Sequence, residues 1–218
     1  MLINKELWFA DPDTFNDPFD CRFDPKPALQ KAIEQLKVDH NLYKDLLPKK
    51  LNSARVCCFS ETKKNQLMWA HYAQEHNGFC IGFNVRKLLV NNHLGIGVLP
   101  VEYKSRSPYQ HIIKSFELLK DLGGDISPTN LREEFTKRAL ATKYTGWKYE
   151  KEVRLISTKV NKLNFLSESI NSITFGLKMN DKNKDTLKSL LSGKEWAHIK
   201  WFETSRAKDR FALNFNLL

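Results

Sequence analysis

The stretch QLMWAHYAQEHNGFCIGF, residues 66–83, switches backbone habit without a linker. Leu67, Met68, Trp69, Ala70, Tyr72 and Ala73 leave a helix over 65–76 almost no solvated face. Such a helix is expected to be buried against another layer. Asn77-Gly78 supplies a helix stop, and FCIGFN (79–84) follows at once as a strand. Within this segment sits His71, a polar ring that needs a partner wherever it is buried.

The rest of the chain continues the mixture. Strands are expected at 6–10 (ELWFA), 54–60 (ARVCCFS), 98–103 (VLPVEY), 152–157 (EVRLIS), 172–176, 198–204 and 211–216. Pro100 marks an edge or bulge in its strand. Leu29, Ile33, Leu36 and Val38 recur near helical spacing over 28–48, and a further helix fits 181–192. Residues 108–122 and 128–143 read as a helical pair divided by Gly123-Gly124, with Ser127 as cap and Pro128 opening the second helix. Regular βαβ alternation, repeats, GxGxxG and P-loop are all missing. The expectation is one α+β domain over 1–218: a bent, mostly antiparallel sheet with helices packed around it and the helical pair inserted between strands.

Composition sets the partners. The net charge of +10 is uneven, because residues 1–30 hold three basic and six acidic side chains, which leaves +13 on the remainder. That surface favours a nucleotide, nucleic acid or an acidic protein, although lysine used for solubility gives the same count. No apolar run approaches the roughly 18–20 residues that span a bilayer, so no membrane partner is expected. Cys21, Cys57, Cys58 and Cys80 lack CxxC spacing and read as reduced, buried thiols of a cytoplasmic protein, with Cys57 and Cys58 on opposite strand faces.

Three clusters carry candidate chemistry. Trp69, His71 and Tyr72 place three polar-tipped rings within four residues, as in the wall of a cleft, although each also has a plain core reading. In WKYEKEVRLI (147–156), a strand would set Glu150, Glu152 and Arg154 on one side, the carboxylates roughly 6.6 Å apart along the chain. Arg154 could then hold a carboxylate ionised, with Trp147 and Tyr149 beside it for a planar or sugar-like guest. The plain alternative is an exposed salt-bridge ladder. FNDPFD (15–20) reads as a strand-capping turn that can also aim Asn16, Asp17 or Asp20 into the cleft. Asp17, Asp20 and His71 lack metal-ligand spacing, so no metal is expected. Neither Ser60 nor a Cys58–His71 pair has the context of a nucleophile.

LWFADPDTFNDPFDC, VCCFSE, LMWAHYAQEHNGFCIGF and WKYEKEVRLI, followed by TFG at 174–176, resemble the successive blocks of a bacterial family, domain of unknown function 2971. The block order is in turn similar to a distant ADP-ribosyltransferase-like fold, found among bacterial toxins and phage-defence proteins. That resemblance implies NAD as substrate, cleaved at the nicotinamide–ribose bond by a transferase or glycohydrolase, with water, a protein or nucleic acid as acceptor. It implies catalytic roles for Glu152, Glu150 and His71. Tyr72, Trp69, Arg154, Tyr149 and Ser60 would hold the nucleotide. It also implies a strand block of Lys/Tyr/Arg type ahead of Leu7-Trp8-Phe9. With only a few residues before Leu7, the expectation is either a start placed late or a shortened member that binds nucleotide without turning it over. The alternative reading is a nucleic-acid-binding or regulatory module working through its basic surface, with Lys114, Lys120 and Lys137 as contacts.

Overall fold

Strand β7 (Glu152–Ser157) sorts its side chains by face, and the architecture follows from that sorting. It pairs antiparallel with β2 (Arg55–Ser60) on one side and with β4 (Gly97–Pro100) on the other. The register sets Ser60 opposite Glu152, Cys58 opposite Arg154 and Val56 opposite Ile156. These six residues share one face, and Phe59, Cys57 and Leu155 share the other. Cys57, Phe59 and Leu155 join the main core with Phe9, Leu163, Ile170, Ile173 and Phe175. Val56 and Ile156 join a smaller cluster with Ala54 and Leu140. The charged residues lie on that second face, away from the large core.

This is a computed structural model that describes residues 1–24, 26–36, 53–90, 95–106, 108–109, 114, 117–118, 121–123 and 128–218. The second sheet has the order β11-β10-β9-β3, from β3 (Phe79–Phe83), β9 (Ile170–Phe175), β10 (Lys200–Arg206) and β11 (Leu213–Leu217). Its β9–β10 pair is parallel, and helix α5 (Asp181–Leu190) lies between the two strands in sequence, so one βαβ unit sits in an otherwise antiparallel sheet. Short ladders join β1 (Glu6–Trp8) to β8 (Lys162–Asn164), antiparallel, and β5 (Glu102–Lys104) to β6 (Thr142–Tyr144), parallel. The class is α+β and mostly antiparallel, as expected. Among the described residues the strands form four separate sheets instead of one bent surface. Pro100 ends β4, which is an edge strand of its sheet.

Several helices differ from the sequence reading. Helix α1 is Lys26–Leu36, and the expected continuation to 48 falls outside the described residues, as do Ser127 and most of 108–122. Helix α4 (Pro128–Leu140) stops short of 143 because Thr142-Lys143-Tyr144 becomes strand β6. Threonine and tyrosine favour a pleated surface, and the helical periodicity that ran through Leu140 does not extend into them. Helix α3 (Val85–Val90), which delivers Leu88 to the core, and β8 were not expected at all.

Helix α2 (Gln66–Tyr72) also ends early. Gln74, Glu75 and His76 all take left-handed backbone angles, with φ of 47°, 54° and 72°. Three such residues in a row are unfavourable by roughly 1–2 kcal/mol each for L-amino acids. Hydrogen bonds hold the return: Glu75 N–H donates to Ala70 O, His76 N–H to Trp69 O and Gly78 N–H to Ala73 O. The turn then docks on the end of β9, where Gly176 N–H donates to Gly78 O and Lys178 N–H to His76 O. A Cβ on Gly176 would stand 2.3 Å from His76 O and 2.6 Å from Gly78 O, so only glycine admits this approach. The prediction is that Gly176→Ala lowers stability by about 1–3 kcal/mol through forced backbone displacement. Urea unfolding measures it, and an unchanged midpoint would contradict the close approach.

Candidate functional site

Arg154 is 0% exposed, and a buried guanidinium must be neutralised in place. Its Nε donates to Glu152 Oε1 at 2.7 Å and its Nη2 to Asp20 Oδ2 at 2.6 Å. Nη1 donates to Leu140 O at 2.8 Å and reaches Cys21 Sγ at 3.0 Å. Lys143, on β6, faces the same carboxylates. Its ammonium donates to Glu150 Oε2 at 2.6 Å and to Glu152 Oε2 at 3.0 Å, with Asp20 Oδ2 at 3.6 Å. All five side chains are buried. Three carboxylates against two cations leave the cluster one formal negative charge in excess.

The two glutamates arrive by different routes. Glu152 lies on β7, and its backbone N–H donates to Tyr103 Oη at 2.8 Å. Glu150 is not on the strand. It ends a 3₁₀ turn, Thr145–Glu150, after which Lys151 is left-handed at φ 46°. That reversal brings both carboxylates onto Lys143. The Ser60 hydroxyl donates to Glu150 O at 2.6 Å, which pins the turn against the end of β2. Tyr72 Oη donates to Glu150 Oε1 at 2.6 Å and so ties helix α2 to the cluster.

Burial alone would raise the Glu152 carboxyl, but the Arg154 hydrogen bond and charge, with Lys143 in support, outweigh it and hold it at about 2. Burial works against Lys143 too, and the surrounding carboxylates push it up regardless. Burial pushes the Tyr72 phenol up, and its bond to Glu150 adds to this. The thiols are also pushed up. Burial takes Cys57 to about 11 and Cys21 to about 12, and desolvation with the nearby Glu152 carboxylate raises Cys58. None of these thiols is poised as a thiolate nucleophile. No disulfide joins the four cysteines; Cys21, Cys57 and Cys80 are half-buried and Cys58 is exposed by residue surface although its thiol lies against Glu152, where full burial of all four was expected.

In front of the cluster is a hollow of about 410 Å³. Glu150, Glu152, Asp20 and Lys143 line it with Ser60 and Tyr72, and Phe15, Phe59 and Met68 supply apolar wall. Helix α2 divides its residues by face at the i, i+4 spacing. Trp69 and Ala73 are buried, Met68 and Tyr72 wall the hollow, and Leu67 and His71 face solvent. The helix is therefore not buried all round.

Several expected site residues are elsewhere. His71 does not line the hollow. It sits in an exposed aromatic group with Tyr149 at 6.2 Å and Trp147 at 6.5 Å between ring centres, because position 71 is turned about 100° from position 72. Trp69 is a core anchor whose indole N–H donates to Lys63 O at 2.7 Å, so it is not placed to stack on a guest. Tyr149 lies outside the wall as well. Arg154 stands behind Glu152 and not in the lining. Of the FNDPFD turn, Asn16 and Asp20 reach the hollow, while Asp17 accepts Phe19 N–H at 2.9 Å in a local turn. The exposed salt-bridge ladder is excluded by burial. Among the described residues no three His, Cys, Asp or Glu side chains are grouped to hold a metal ion. No helix among them is long and apolar enough to cross a membrane.

Lys143 is the residue that the sequence reading missed, since it was assigned to the end of a helix. The β-branched and aromatic neighbours Thr142, Tyr144 and Thr145 were the available signal that the helix had ended.

Residues 68–155 match the family model described as Protein of unknown function (DUF2971). The match spans Tyr72, Lys143, Glu150, Glu152 and Arg154, but not Asp20. No curated protein and no solved structure matches the chain.

Two outcomes test the cluster. Arg154→Leu leaves Lys143 alone against the buried Asp20, Glu150 and Glu152, an expected loss of about 3–5 kcal/mol in urea unfolding. Glu152 is held below its ordinary 4.5, so the stability it contributes is present above pH 4.5 and lost as pH falls toward about 2. The stability gap between wild type and Glu152→Gln should therefore be constant from pH 5 to 8 and shrink below 4.5. A gap that persists unchanged at pH 3 would contradict the ion pair.

Proposed function

We propose that this chain, which carries the DUF2971 segment at 68–155, cleaves the nicotinamide–ribose bond of NAD. The carrying observation is that Glu152, Glu150 and Tyr72 meet at one aromatic-walled hollow whose charge balance is negative. The nicotinamide ring of NAD is cationic, and its departure moves positive charge to the ribose C1′. A carboxylate that remains ionised across the working pH range, beside that carbon, stabilises the developing oxocarbenium. Glu152 has this property because Arg154 and Lys143 hold it charged. The C1′–N bond breaks with its electron pair going to nicotinamide, which leaves neutral. Water or an acceptor hydroxyl, amine or carboxylate forms the new bond to C1′, and any proton the nucleophile gives up passes to solvent or to Glu150. Tyr72, bonded to Glu150, orients that second carboxylate. Arg154 is a positioning residue, as is Ser60. An acceptor on a protein or nucleic acid would make the enzyme a toxin or defence effector, and water would make it a glycohydrolase. The likeness to ADP-ribosyltransferases enters at fold level only, and the proposal rests on the site.

Incubation of the protein with NAD, with and without protein and nucleic-acid acceptors, should release nicotinamide detectable by chromatography. Glu152→Gln should reduce kcat about 10²–10³-fold, the size of effect that loss of a charge-stabilising group produces. Absence of nicotinamide release under every acceptor condition overturns the proposal.

The charge asymmetry supports a second reading, a nucleic-acid-binding module. Lys114 and Lys137 are exposed, and Lys120 lies outside the described residues. This reading expects RNA or DNA affinity that falls steeply with salt and weakens on Lys137→Glu more than on Glu152→Gln. Salt-insensitive or absent binding removes it.

A further inference from the structure

Lys143 lines a second hollow, of about 360 Å³, whose character is the reverse of the first. In place of carboxylates its wall carries Lys104 and Arg106, with Asp17 as its one acid, already engaged with its own turn. Lys104 is held by Glu102 at 2.8 Å, whereas Arg106 is exposed and makes no ion pair among the described residues. Aromatic rings fill the remaining wall. Phe19 is 70% exposed, Tyr144 57% and Phe23 40%, and Trp147 stands half-buried with the Lys143 ammonium 5.2 Å from its ring centre.

Three large rings left open to water around one concavity are unfavourable in an unliganded surface. Scattered singly they would mean little. Grouped with an exposed guanidinium, they match one ligand chemistry: a flat heteroaromatic ring to stack and a phosphate to pair. A peptide carboxylate would use the arginine and leave the rings idle, while a purely apolar guest would leave the arginine unpaired. The volume lies at the lower end of the roughly 300–1,000 Å³ range of small-molecule sites.

We infer that the Phe19–Arg106–Tyr144–Trp147 hollow is a nucleoside-phosphate subsite. The inference deepens the NAD reading and rests on it for one point only, the orientation of the dinucleotide. The cationic nicotinamide end lies in the acidic hollow, the adenosine-phosphate end in the basic aromatic one, and Lys143 stands at the wall between them. The same chemistry is carried by a free nucleotide and by the 5′-phosphorylated end of a nucleic-acid strand.

Isothermal titration of the full chain with ADP, which has no nicotinamide bond, separates this inference from the catalytic one. ADP should bind, and Arg106→Ala and Phe19→Ala should each weaken it about tenfold, in keeping with loss of one charge-assisted bond or one stacking ring. Both side chains are exposed, so neither substitution should disturb folding. Inorganic phosphate alone should bind far more weakly than ADP, because it forgoes the rings. A 5′-phosphorylated oligonucleotide that binds more tightly than ADP assigns the subsite to a strand end. Equal or weaker binding assigns it to a free nucleotide. ADP binding sensitive to Arg106 and Phe19, in a protein that releases no nicotinamide, keeps the subsite and ends the NAD-cleavage reading. Nicotinamide release unaffected by either substitution, with no ADP or oligonucleotide binding, ends the subsite and keeps the enzyme. Binding indifferent to both substitutions overturns the inference.

Discussion

A guanidinium taken wholly out of water holds this molecule together. Desolvation of a charge costs several kcal/mol even after relaxation, so Arg154 is tolerable only while its partners stay in place. Those partners come from three segments: Asp20 from the N-terminal turn, Glu152 from Arg154's own strand and Leu140 O from the end of α4. None can move without exposing a charge to an environment that cannot solvate it. The arrangement therefore fixes three chain segments relative to one another more tightly than apolar contact would, because apolar contact tolerates sliding. The site is built on that rigid frame.

In the proposed reaction, rigidity of this kind separates two jobs often given to one carboxylate. Glu152 is occupied on both oxygens and stays ionised, which suits it to act through its field. Glu150 is tied to Lys143 and to a phenol on a helix that faces partly to solvent. Tyr72 thus couples that carboxylate to the helix that walls the hollow. The left-handed return that follows Tyr72, locked by Gly176, keeps that helix from sliding away.

The sequence was most legible where one rule acted alone. EVRLIS was readable as β7 to the residue from its alternation of charged and apolar side chains, although both of its faces are buried. The two glutamates and the arginine were recognisable as a set because their spacing put them on one side. Their convergence survived even though Glu150 sits on a 3₁₀ turn, since Lys151 supplies a reversal that no periodicity reveals. The helix at 66–72 was legible as a helix, but its apolar run concealed three faces with three environments, and hence the fate of His71. Lys143 was illegible because its role depends on a strand only three residues long, paired to a segment forty positions earlier. Long-range pairing of short strands leaves almost no local trace.

Lys143 belongs to two hollows at once, and its ammonium is the one cation that both share. A guest on either side that draws on this charge changes the hold on Glu150 and Glu152. Linkage then requires the reverse effect to be equal in free energy. For guests that both draw on that charge, the two cavities form a single thermodynamic system, with a lysine as the balance beam.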